Sequence, residues 1–346
     1  MKKGVLLVNL GSPDSASPKD VKKYLGEFLM DPRVIDVPRW ARILLVRGIV
    51  LNTRPKQSAA AYQKIWWDEG SPLIVLSERL QKKIQSKTAV PISLAMRYGS
   101  MTLKKGLQEL VDQGVDDVLV VPLYPQFAMA TTETIDVAID ELKNEFFPNL
   151  EVTSLTAFYH KPEYIEVLAN SISEKLKDSD YEQLLFSYHG IPERHIRKSD
   201  VTKSHCKIDG SCCQTASKAH EFCYRHQCKE TTRLVAEKLG LKEGTFSVSF
   251  QSRLGFDPWL QPYTDRTIER FGKAGVKKMA IVTPAFVSDC LETLEEIAME
   301  GEEIFHEVGG EEFTVIPCLN DRDDWATVMT GWIDQWRLKD LKTAIA

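Results

Sequence analysis

The sequence predicts an α/β fold with two similar halves, each a doubly wound parallel sheet. Short apolar runs rich in β-branched residues recur along the chain, and most are followed by a stretch in which apolar residues have helical spacing. This alternation is typical of parallel sheets that are covered by helices on both faces. The runs lie at residues 5–8, 118–121, 184–186, 246–250 and 279–282.

The length of the chain supports two domains. A single hydrophobic core stops growing at about 250 to 300 residues, and this chain has 346. We predict a Rossmann-like domain over 1–155, a second over 156–325 and a C-terminal helix over 326–346, with the active-site cleft between the two domains. In such sheets ligands bind beyond the carboxyl ends of the strands, so the chemistry is expected just after each apolar run.

The two halves also share a local pattern. Residues 125–127 are Pro-Gln-Phe and are followed by Glu-Thr at 133–134. Residues 284–286 are Pro-Ala-Phe and are followed, at the same offsets, by Glu-Thr at 292–293. This repetition indicates two related halves.

Composition and charge favour a small-molecule substrate over nucleic acid. The formal net charge is −5 and the sequence pI is near 5.9, whereas phosphate binding requires a concentrated basic surface. The apolar run after Lys3 resembles the start of a signal peptide, but it breaks at Asn9 and no small-residue cleavage site follows. We therefore expect a strand there and a cytoplasmic protein.

His189 is the first candidate for chemistry. It precedes Gly190 and Pro192, which favour a turn, so its imidazole is expected at the carboxyl edge of the sheet. The competing interpretation is a structural histidine.

Three glutamates form the second candidate. Glu292, Glu296 and Glu300, here called the acidic ladder, fall at i, i+4 and i+8 and would lie on one face of a helix. They are either a solvated acidic face or a series of oxygen ligands that pass a divalent cation or protons inward.

The loop that carries Trp259 is the third candidate. Residues 250–264 contain Pro and Gly around this tryptophan, which would offer a flat apolar wall to an aromatic ligand. An ordinary packed loop is the alternative.

Eight short motifs occur along the chain in a fixed order. They are Asn9-Leu10-Gly11-Ser12-Pro13, Phe28-Leu29-Met30-Asp31-Pro32, Gly70-Ser71-Pro72-Leu73, Met96-Arg97-Tyr98, Leu123-Tyr124-Pro125-Gln126, and the segments 187–192, 250–264 and 288–297. Together they resemble the ferrochelatase family from about residue 4 to about residue 320. The resemblance implies two Rossmann-like domains with parallel four-stranded sheets, a porphyrin in the cleft between them, and insertion of Fe²⁺ into protoporphyrin IX to form protohaem.

The same resemblance assigns residue roles. It makes His189 and Glu292 catalytic, and it makes both of them metal-binding residues together with Glu296 and Glu300. Imidazole titrates near neutrality and binds iron, and carboxylates suit a hard divalent ion in transit. The sequence leaves open whether His189 binds iron or accepts the pyrrole protons.

The resemblance also implies a set of substrate-binding residues. One of them can pair with a porphyrin propionate through its guanidinium. They are Arg97, which has this guanidinium, Tyr98, Tyr124 and Trp259. Cys290 departs from the animal relatives, which carry a histidine there, and this puts a secondary metal role in doubt.

Five of the seven cysteines lie between residues 206 and 228, here called the cysteine segment. Cluster-free bacterial relatives keep only the cysteine that matches Cys228, which leaves four added thiols, the number that a [2Fe–2S] centre requires. We predict that its ligands are Cys206, Cys212, Cys213 and Cys223, with Cys228 in reserve. The alternatives are free thiols or a zinc site that includes His205, His220 or His226.

Residues 38–51 form the most apolar part of the first half. Arg42 and Arg47 interrupt the segment, and it is too short to span a bilayer. By the resemblance it forms an apolar lip that contacts the inner membrane peripherally; the alternative is a helix packed against the first domain.

Rival functions remain for the whole chain. They are a coproporphyrin ferrochelatase or another tetrapyrrole metal chelatase, an iron–sulfur sensor on an inactive chelatase fold, and a ligand-binding protein. The sequence leaves the oligomeric state open.

Overall fold

The computed structural model describes residues 1–253 and 257–343, the last five of these by their backbone only. The chain divides into two compact units. Unit 1 comprises Met1–Leu123, Met129–Thr156 and Asn320–Ala346, and unit 2 comprises Tyr124–Ala128 and Ala157–Leu319.

Unit 1 contains a parallel four-stranded sheet. Its strands are β1 (Lys3–Asn9), β2 (Ile92–Met96), β3 (Asp117–Pro122) and β4 (Glu151–Ser154), in the order β2-β1-β3-β4. Val5 pairs with Ile92 on one side of β1 and with Leu119 on the other. The buried internal strands explain the continuous apolar runs, because both faces of the sheet are covered.

Unit 2 contains a second sheet with the same arrangement. Its strands are β5 (Gln183–His189), β6 (Phe246–Gln251), β7 (Lys278–Val282) and β8 (Glu312–Ile316), in the order β6-β5-β7-β8 and all parallel. The predicted α/β fold with two similar doubly wound sheets is confirmed. The equal strand orders account for the repeated sequence pattern.

Helices connect the strands in both units. The α-helices of the described chain are α1 (Pro18–Leu29), α2 (Arg39–Ile43), α3 (Leu51–Thr53), α4 (Pro55–Ile65), α5 (Pro72–Gln85), α6 (Leu103–Asp112), α7 (Thr134–Phe146), α8 (Pro162–Leu176), α9 (Glu193–Ser199), α10 (Tyr224–Leu239), α11 (Thr264–Lys273), α12 (Glu300–Glu307) and α13 (Asp323–Thr343). The other helical segments described are the π-helices Leu44–Val50, Met129–Glu133 and Glu292–Met299 and the 3₁₀ helices Ser211–Gln214 and Lys218–Phe222.

Two glycines occupy corresponding places after the first strand of each sheet. A Cβ on Gly11, whose φ is +114°, would lie 2.0 Å from the carbonyl oxygen of Tyr98. A Cβ on Gly190 would lie 2.9 Å from the carbonyl oxygens of both Gln251 and Ser252. In each unit the chain therefore passes close to the backbone at the end of the neighbouring strand, as only glycine permits.

The C-terminal helix α13 belongs to unit 1 and packs against α5. Lys83 of α5 forms ion pairs with Asp321 and Asp323, each at 3.2 Å. Most of the buried side chains described for α13 are apolar or aromatic, and they include Trp325, Met329, Trp332 and Ile333. Residues 344–346 of the predicted C-terminal helix lie outside the described residues. Among the described helices, none combines the length and the apolar character that crossing a membrane requires.

Candidate active site

His189 ends β5, an internal strand of the unit 2 sheet. Its Nδ1 lies 2.6 Å from the carbonyl oxygen of Gly190. A carbonyl oxygen only accepts hydrogen bonds, so this contact requires a hydrogen on Nδ1 and leaves the lone pair of the neutral ring on Nε2. The imidazole therefore offers Nε2 as its base or metal-binding atom.

Two aromatic rings flank this imidazole within unit 2. The centroid of the His189 ring is 6.2 Å from that of Phe286 and 6.5 Å from that of Trp259. Trp259 is held there because its backbone pairs with Pro192, three residues after His189. Part of the predicted loop, Leu254 and Gly255, lies outside the described residues.

Hydrogen bonds fix the backbone of His189. The hydroxyl of Tyr224, in the first turn of α10, donates to the carbonyl oxygen of His189 at 2.9 Å. The N–H of Gly190 donates to the carbonyl oxygen of Gln251 at 2.6 Å. These bonds limit the freedom of the imidazole to rotation about its own side-chain bonds.

The acidic ladder lies on the π-helix Glu292–Met299 and the start of α12, and not on one α-helix. Glu292 and Glu296 are half-buried and Glu300 is exposed, so the carboxylates extend from the interior of unit 2 to solvent. Ile297 anchors the π-helix in the core beside Ile281 of β7. Such π-helical segments are rare and occur often at functional sites.

The carboxyl of Glu296, in the middle of the acidic ladder, has a raised pKa. The hydroxyl of Ser252 donates to its Oε2 at 2.6 Å. Burial, followed by the charges of Glu292 and Glu300, raises the pKa of Glu296 to about 7, although the bond from Ser252 opposes this. Glu296 can therefore take up and release a proton near neutral pH.

A buried polar network connects the histidine strand with the acidic ladder. The hydroxyl of Ser187 donates to Oε1 of Gln251 at 2.8 Å, and Nε2 of Gln251 donates to the carbonyl oxygen of Glu292 at 3.3 Å. Sequence reasoning did not assign a role to Gln251 or Ser252. The available signal was a polar residue at the end of a buried apolar strand, where ligands of α/β sheets bind.

The predicted substrate-binding residues Arg97 and Tyr98 converge on Asp31 in unit 1. Nη2 of Arg97 donates to Oδ2 of Asp31 at 2.6 Å, and the hydroxyl of Tyr98 donates to the same oxygen at 3.0 Å. The hydroxyl of Thr134 donates to it as well, at 2.6 Å. Burial raises the pKa of Tyr98. Both residues thus join the segment after α1 to the end of β2 and the start of α7, and their contact with substrate stays a prediction.

The remaining predicted site residues lie in unit 2. Tyr124 is buried at the start of the Tyr124–Ala128 segment. His189, Glu292, Glu296 and Trp259 all lie at or after the carboxyl ends of β5, β6 and β7. The structure therefore brings the predicted catalytic pair and the predicted porphyrin wall to one edge of one sheet.

The cysteine segment forms a compact loop before α10. The thiol of Cys206 interacts with that of Cys212, and the thiol of Cys213 with that of Cys223. Sγ of Cys212 donates to the carbonyl oxygen of Lys207 at 3.2 Å. The interaction between Cys213 and Cys223 lowers the pKa of Cys213 and raises the pKa of Cys223. The four predicted ligands therefore lie in one loop, whereas Cys228 is fully buried inside α10.

Three histidines in or next to the cysteine segment donate hydrogen bonds to backbone carbonyls. Nε2 of His205 and Nε2 of His220 lie 3.1 and 3.2 Å from the carbonyl oxygen of Cys212. Nδ1 of His226 lies 3.1 Å from that of Cys213, and its ring stacks on His220 at 3.6 Å. Each of these nitrogens must carry a hydrogen to donate, which leaves the lone pair of each neutral ring on its other nitrogen.

Within residues 1–253 and 257–343, no group of three or more His, Cys, Asp or Glu side chains is arranged to hold a metal ion. Metal binding by the cysteine segment would require its thiols to lose their protons and turn toward one another.

Comparison with known proteins assigns the chain to a family. The family model described as Ferrochelatase matches residues 2–336. A Ferrochelatase of Pseudomonas fluorescens (strain Pf0-1) is 49% identical over 94% of this chain and 95% of its own length. The chain belongs to the ferrochelatase family. A Ferrochelatase of Opitutus terrae is 46% identical over 96% of this chain and 97% of its own length.

Solved structures agree with the fold of this ferrochelatase-family chain. SirB from Bacillus subtilis with Fe³⁺ has a TM-score of 0.52 at 14% sequence identity, covering 97% of this chain and 95% of its own. The sirohydrochlorin chelatase SirB in complex with cobalt, from Bacillus subtilis subspecies spizizenii, has a TM-score of 0.52 at 12% identity, covering 95% and 94%. At these identities the likeness concerns the fold alone.

Proposed function

We propose that the protein inserts Fe²⁺ into protoporphyrin IX to form protohaem, with His189 and Glu292 as its catalytic residues. Membership of the ferrochelatase family supplies the reaction, which is iron insertion into a porphyrin in haem biosynthesis. The observation that carries the residue assignment is the contact between Nδ1 of His189 and the carbonyl oxygen of Gly190. It leaves Nε2 as the atom that meets the substrate.

The reaction requires the porphyrin to lose two pyrrole protons as iron enters. With its lone pair on Nε2, neutral His189 can accept a pyrrole proton and become an imidazolium. Phe286 and Trp259 beside the ring supply apolar surface against which a macrocycle can stack.

The acidic ladder is proposed as the route for the cation or for the released protons. Carboxylate oxygens suit a hard divalent ion. Glu296, with a pKa raised to about 7 by burial and by its acidic neighbours, can exchange a proton near neutral pH. The half-buried Glu292 and the exposed Glu300 place such exchange between the interior of unit 2 and solvent.

We further propose that Cys206, Cys212, Cys213 and Cys223 hold a [2Fe–2S] centre. The placement of the thiols supports this set, because Cys206, Cys212, Cys213 and Cys223 lie together in the loop before α10, whereas Cys228 is buried inside that helix. When bound, such a centre supplies one-electron chemistry. Metal insertion itself consumes no electron.

The protein is proposed to act in the cytoplasm, in peripheral contact with the inner membrane. The exposed apolar side chains Trp40, Leu44 and Ile49 have exposed fractions of 70%, 62% and 58%. The exposed Arg39 and Arg47 lie in the same segment, where they suit anionic lipid head groups. Reduced sedimentation of a Trp40→Ser, Leu44→Ser variant with anionic vesicles would support this contact.

An anaerobic assay of Fe²⁺ insertion into protoporphyrin and coproporphyrin tests the activity. We expect insertion into protoporphyrin and a loss of about 10² to 10⁴ in rate for His189→Ala. His306→Ala, a partly exposed histidine of the same unit, is the matched control and should keep the wild-type rate. No insertion into either porphyrin contradicts the activity, preference for coproporphyrin contradicts the substrate, and a full rate in His189→Ala contradicts the residue assignment.

A further inference from the structure

The cysteine segment surrounds a buried arginine, Arg225, that takes part in none of the active-site contacts described above. Arg225 is the second residue of α10 and is only 5% exposed. Its Nη1 donates to the carbonyl oxygen of Ile208 at 2.5 Å, and its Nη2 to that of Lys207 at 2.5 Å. Its Nη2 also reaches the sulfur of Cys212 at 3.6 Å. The guanidinium thus lies inside the loop that carries the thiols.

The charge of Arg225 has no carboxylate partner in the part of the chain that the structure describes. Its guanidinium contacts two neutral carbonyls and a sulfur, and its Nε has no hydrogen-bond partner among the described residues. Asp209 acts on it only at a distance, from an exposed position. A buried cation without a counter-charge is costly, typically by several kcal/mol.

The thiol sulfurs of the cysteine segment are the groups near Arg225 that can carry a compensating negative charge. Sγ of Cys212 lies 3.6 Å from Nη2 of Arg225, and Cys206 and Cys213 belong to the same loop. The N-terminus of α10 adds positive potential at the same place, because Cys223 is the residue that caps this 16-residue helix. The guanidinium of Arg225 and the N-terminus of α10 therefore both stabilise negative charge on the sulfurs of this segment.

We propose that Arg225 is the counter-charge of a metal–thiolate centre at Cys206, Cys212, Cys213 and Cys223. This inference rests on the [2Fe–2S] centre proposed above and adds the residue that makes its binding favourable. Four thiolates around two ferric and two sulfide ions leave a net negative charge, and the guanidinium neutralises part of it. The carbonyl bonds to residues 207 and 208 hold the guanidinium in position.

The first test compares Arg225→Met, which removes the charge, with Arg225→Lys, which keeps it. The control is Arg233→Met, on the same helix, because Arg233 is an exposed arginine paired with Glu230 and Glu237. Iron, acid-labile sulfide and the visible spectrum are measured on anaerobically purified protein. We expect wild type, Arg225→Lys and Arg233→Met to retain the centre, and Arg225→Met to bind it at least about tenfold more weakly.

The second test remains informative if Arg225→Met folds poorly. In a background with all four cysteines changed to serine, the anionic centre cannot form and Arg225 becomes an uncompensated buried charge. There Arg225→Met should raise the urea midpoint of unfolding, whereas in the wild-type background it should lower the midpoint. An arginine that only holds the carbonyls of residues 207 and 208 would lower the midpoint in both backgrounds, which would overturn the inference.

The outcomes separate the two proposals. Wild-type protein without iron and sulfide overturns the centre and, with it, the inference. A wild type that holds iron and sulfide, together with an Arg225→Met variant that holds them equally well, overturns the role of Arg225 alone. Equal losses in Arg225→Met and Arg225→Lys show that geometry and not charge matters, and also overturn it.

Discussion

Burial and neighbouring charges set the pKa of Glu296. Burial and the charge of Glu292 raise its pKa from the usual 4.5 to about 7. At pH values between about 4.5 and about 7, the carboxyl of Glu296 is protonated in the folded protein and ionised in the unfolded chain. The free energy of unfolding contributed by this group therefore falls as the pH rises from about 4.5 to about 7, and stays low above that.

Glu296→Gln should remove this penalty. We expect the variant to exceed wild type in free energy of unfolding by about 1 to 3 kcal/mol at pH 8, with the difference vanishing near pH 4.5. Urea unfolding at the two pH values measures it. Glu303→Gln, at an exposed position of α12, is the control. A difference that does not change with pH would contradict the buried, protonated state of Glu296.

Asp31 is predicted to be an anchor of unit 1. Its side chain is 4% exposed and accepts hydrogen bonds from Arg97, Tyr98 and Thr134. Asp31→Asn removes the charge that these donors surround and should cost about 2 to 4 kcal/mol of stability. Thermal unfolding followed by circular dichroism checks this, with the exposed Asp112→Asn as control. Equal melting temperatures would refute the anchoring role.

The sequence draws attention to single candidate residues but does not reveal their partners. His189 and the acidic ladder stand out because they follow apolar runs with a recognisable spacing, and their roles stay predictions. Asp31, Gln251 and Ser252 also lie in recognisable motifs but received no role, because their partners lie far away in sequence and come together only in the fold. The same limit explains why Arg97 was predicted as a propionate ligand without its bond to Asp31.

Among the elements, the two glycines that follow β1 and β5 impose the strictest requirement. Gly11→Ala would place a Cβ 2.0 Å from a backbone oxygen at a φ of +114°, so we expect a loss of more than about 3 kcal/mol. Gly331→Ala is the contrasting change, since this glycine lies inside α13 with no atom within 4 Å of the added Cβ. It should gain about 0.5 to 1 kcal/mol. Similar effects of both changes on the urea midpoint would refute the close approach.

The strands that sequence analysis found and missed differ in composition. β1, β3, β5, β6 and β7 have apolar runs that are visible in the sequence. β2, β4 and β8 were missed. β2, whose sequence is ISLAM, is fully buried but has a single β-branched residue. β4 alternates exposed and half-buried positions over four residues, and β8 has only two buried positions of five, so these two edge strands lack the two-sided burial that produces a continuous run. The π-helix was likewise invisible, because its carboxylate spacing also fits an α-helix.

At the scale of the molecule, unit 1 is discontinuous in sequence. The chain leaves it after Thr156 and returns at Asn320 to add α13. This return could not be predicted from the sequence, since α13 follows unit 2 directly and its partner α5 lies more than 200 residues earlier. The two similar sheets, in contrast, were predictable because each is specified by local runs.

Truncation after Leu319 should therefore destabilise unit 1. It removes Trp325, Met329, Trp332 and Ile333, each of which contributes about 1.5 to 3 kcal/mol through burial of apolar surface. Calorimetry should show a lower melting temperature for this variant. Truncation after Leu338, which is exposed, should leave the transition unchanged. An unaffected transition after removal of all of α13 would contradict its place in the core of unit 1.

The two sheets share more than their strand order. Each sheet has a close-approach glycine after its first strand and a π-helix after its third. This agreement is what duplication of a half-length gene would leave. The two halves differ in the side chains that follow the third strand: the second has an acidic π-helix at Glu292–Met299, whereas Glu133 of the first is an ion-pair partner of Arg33, 3.1 Å away. The same topological position therefore carries two different kinds of chemistry in one chain.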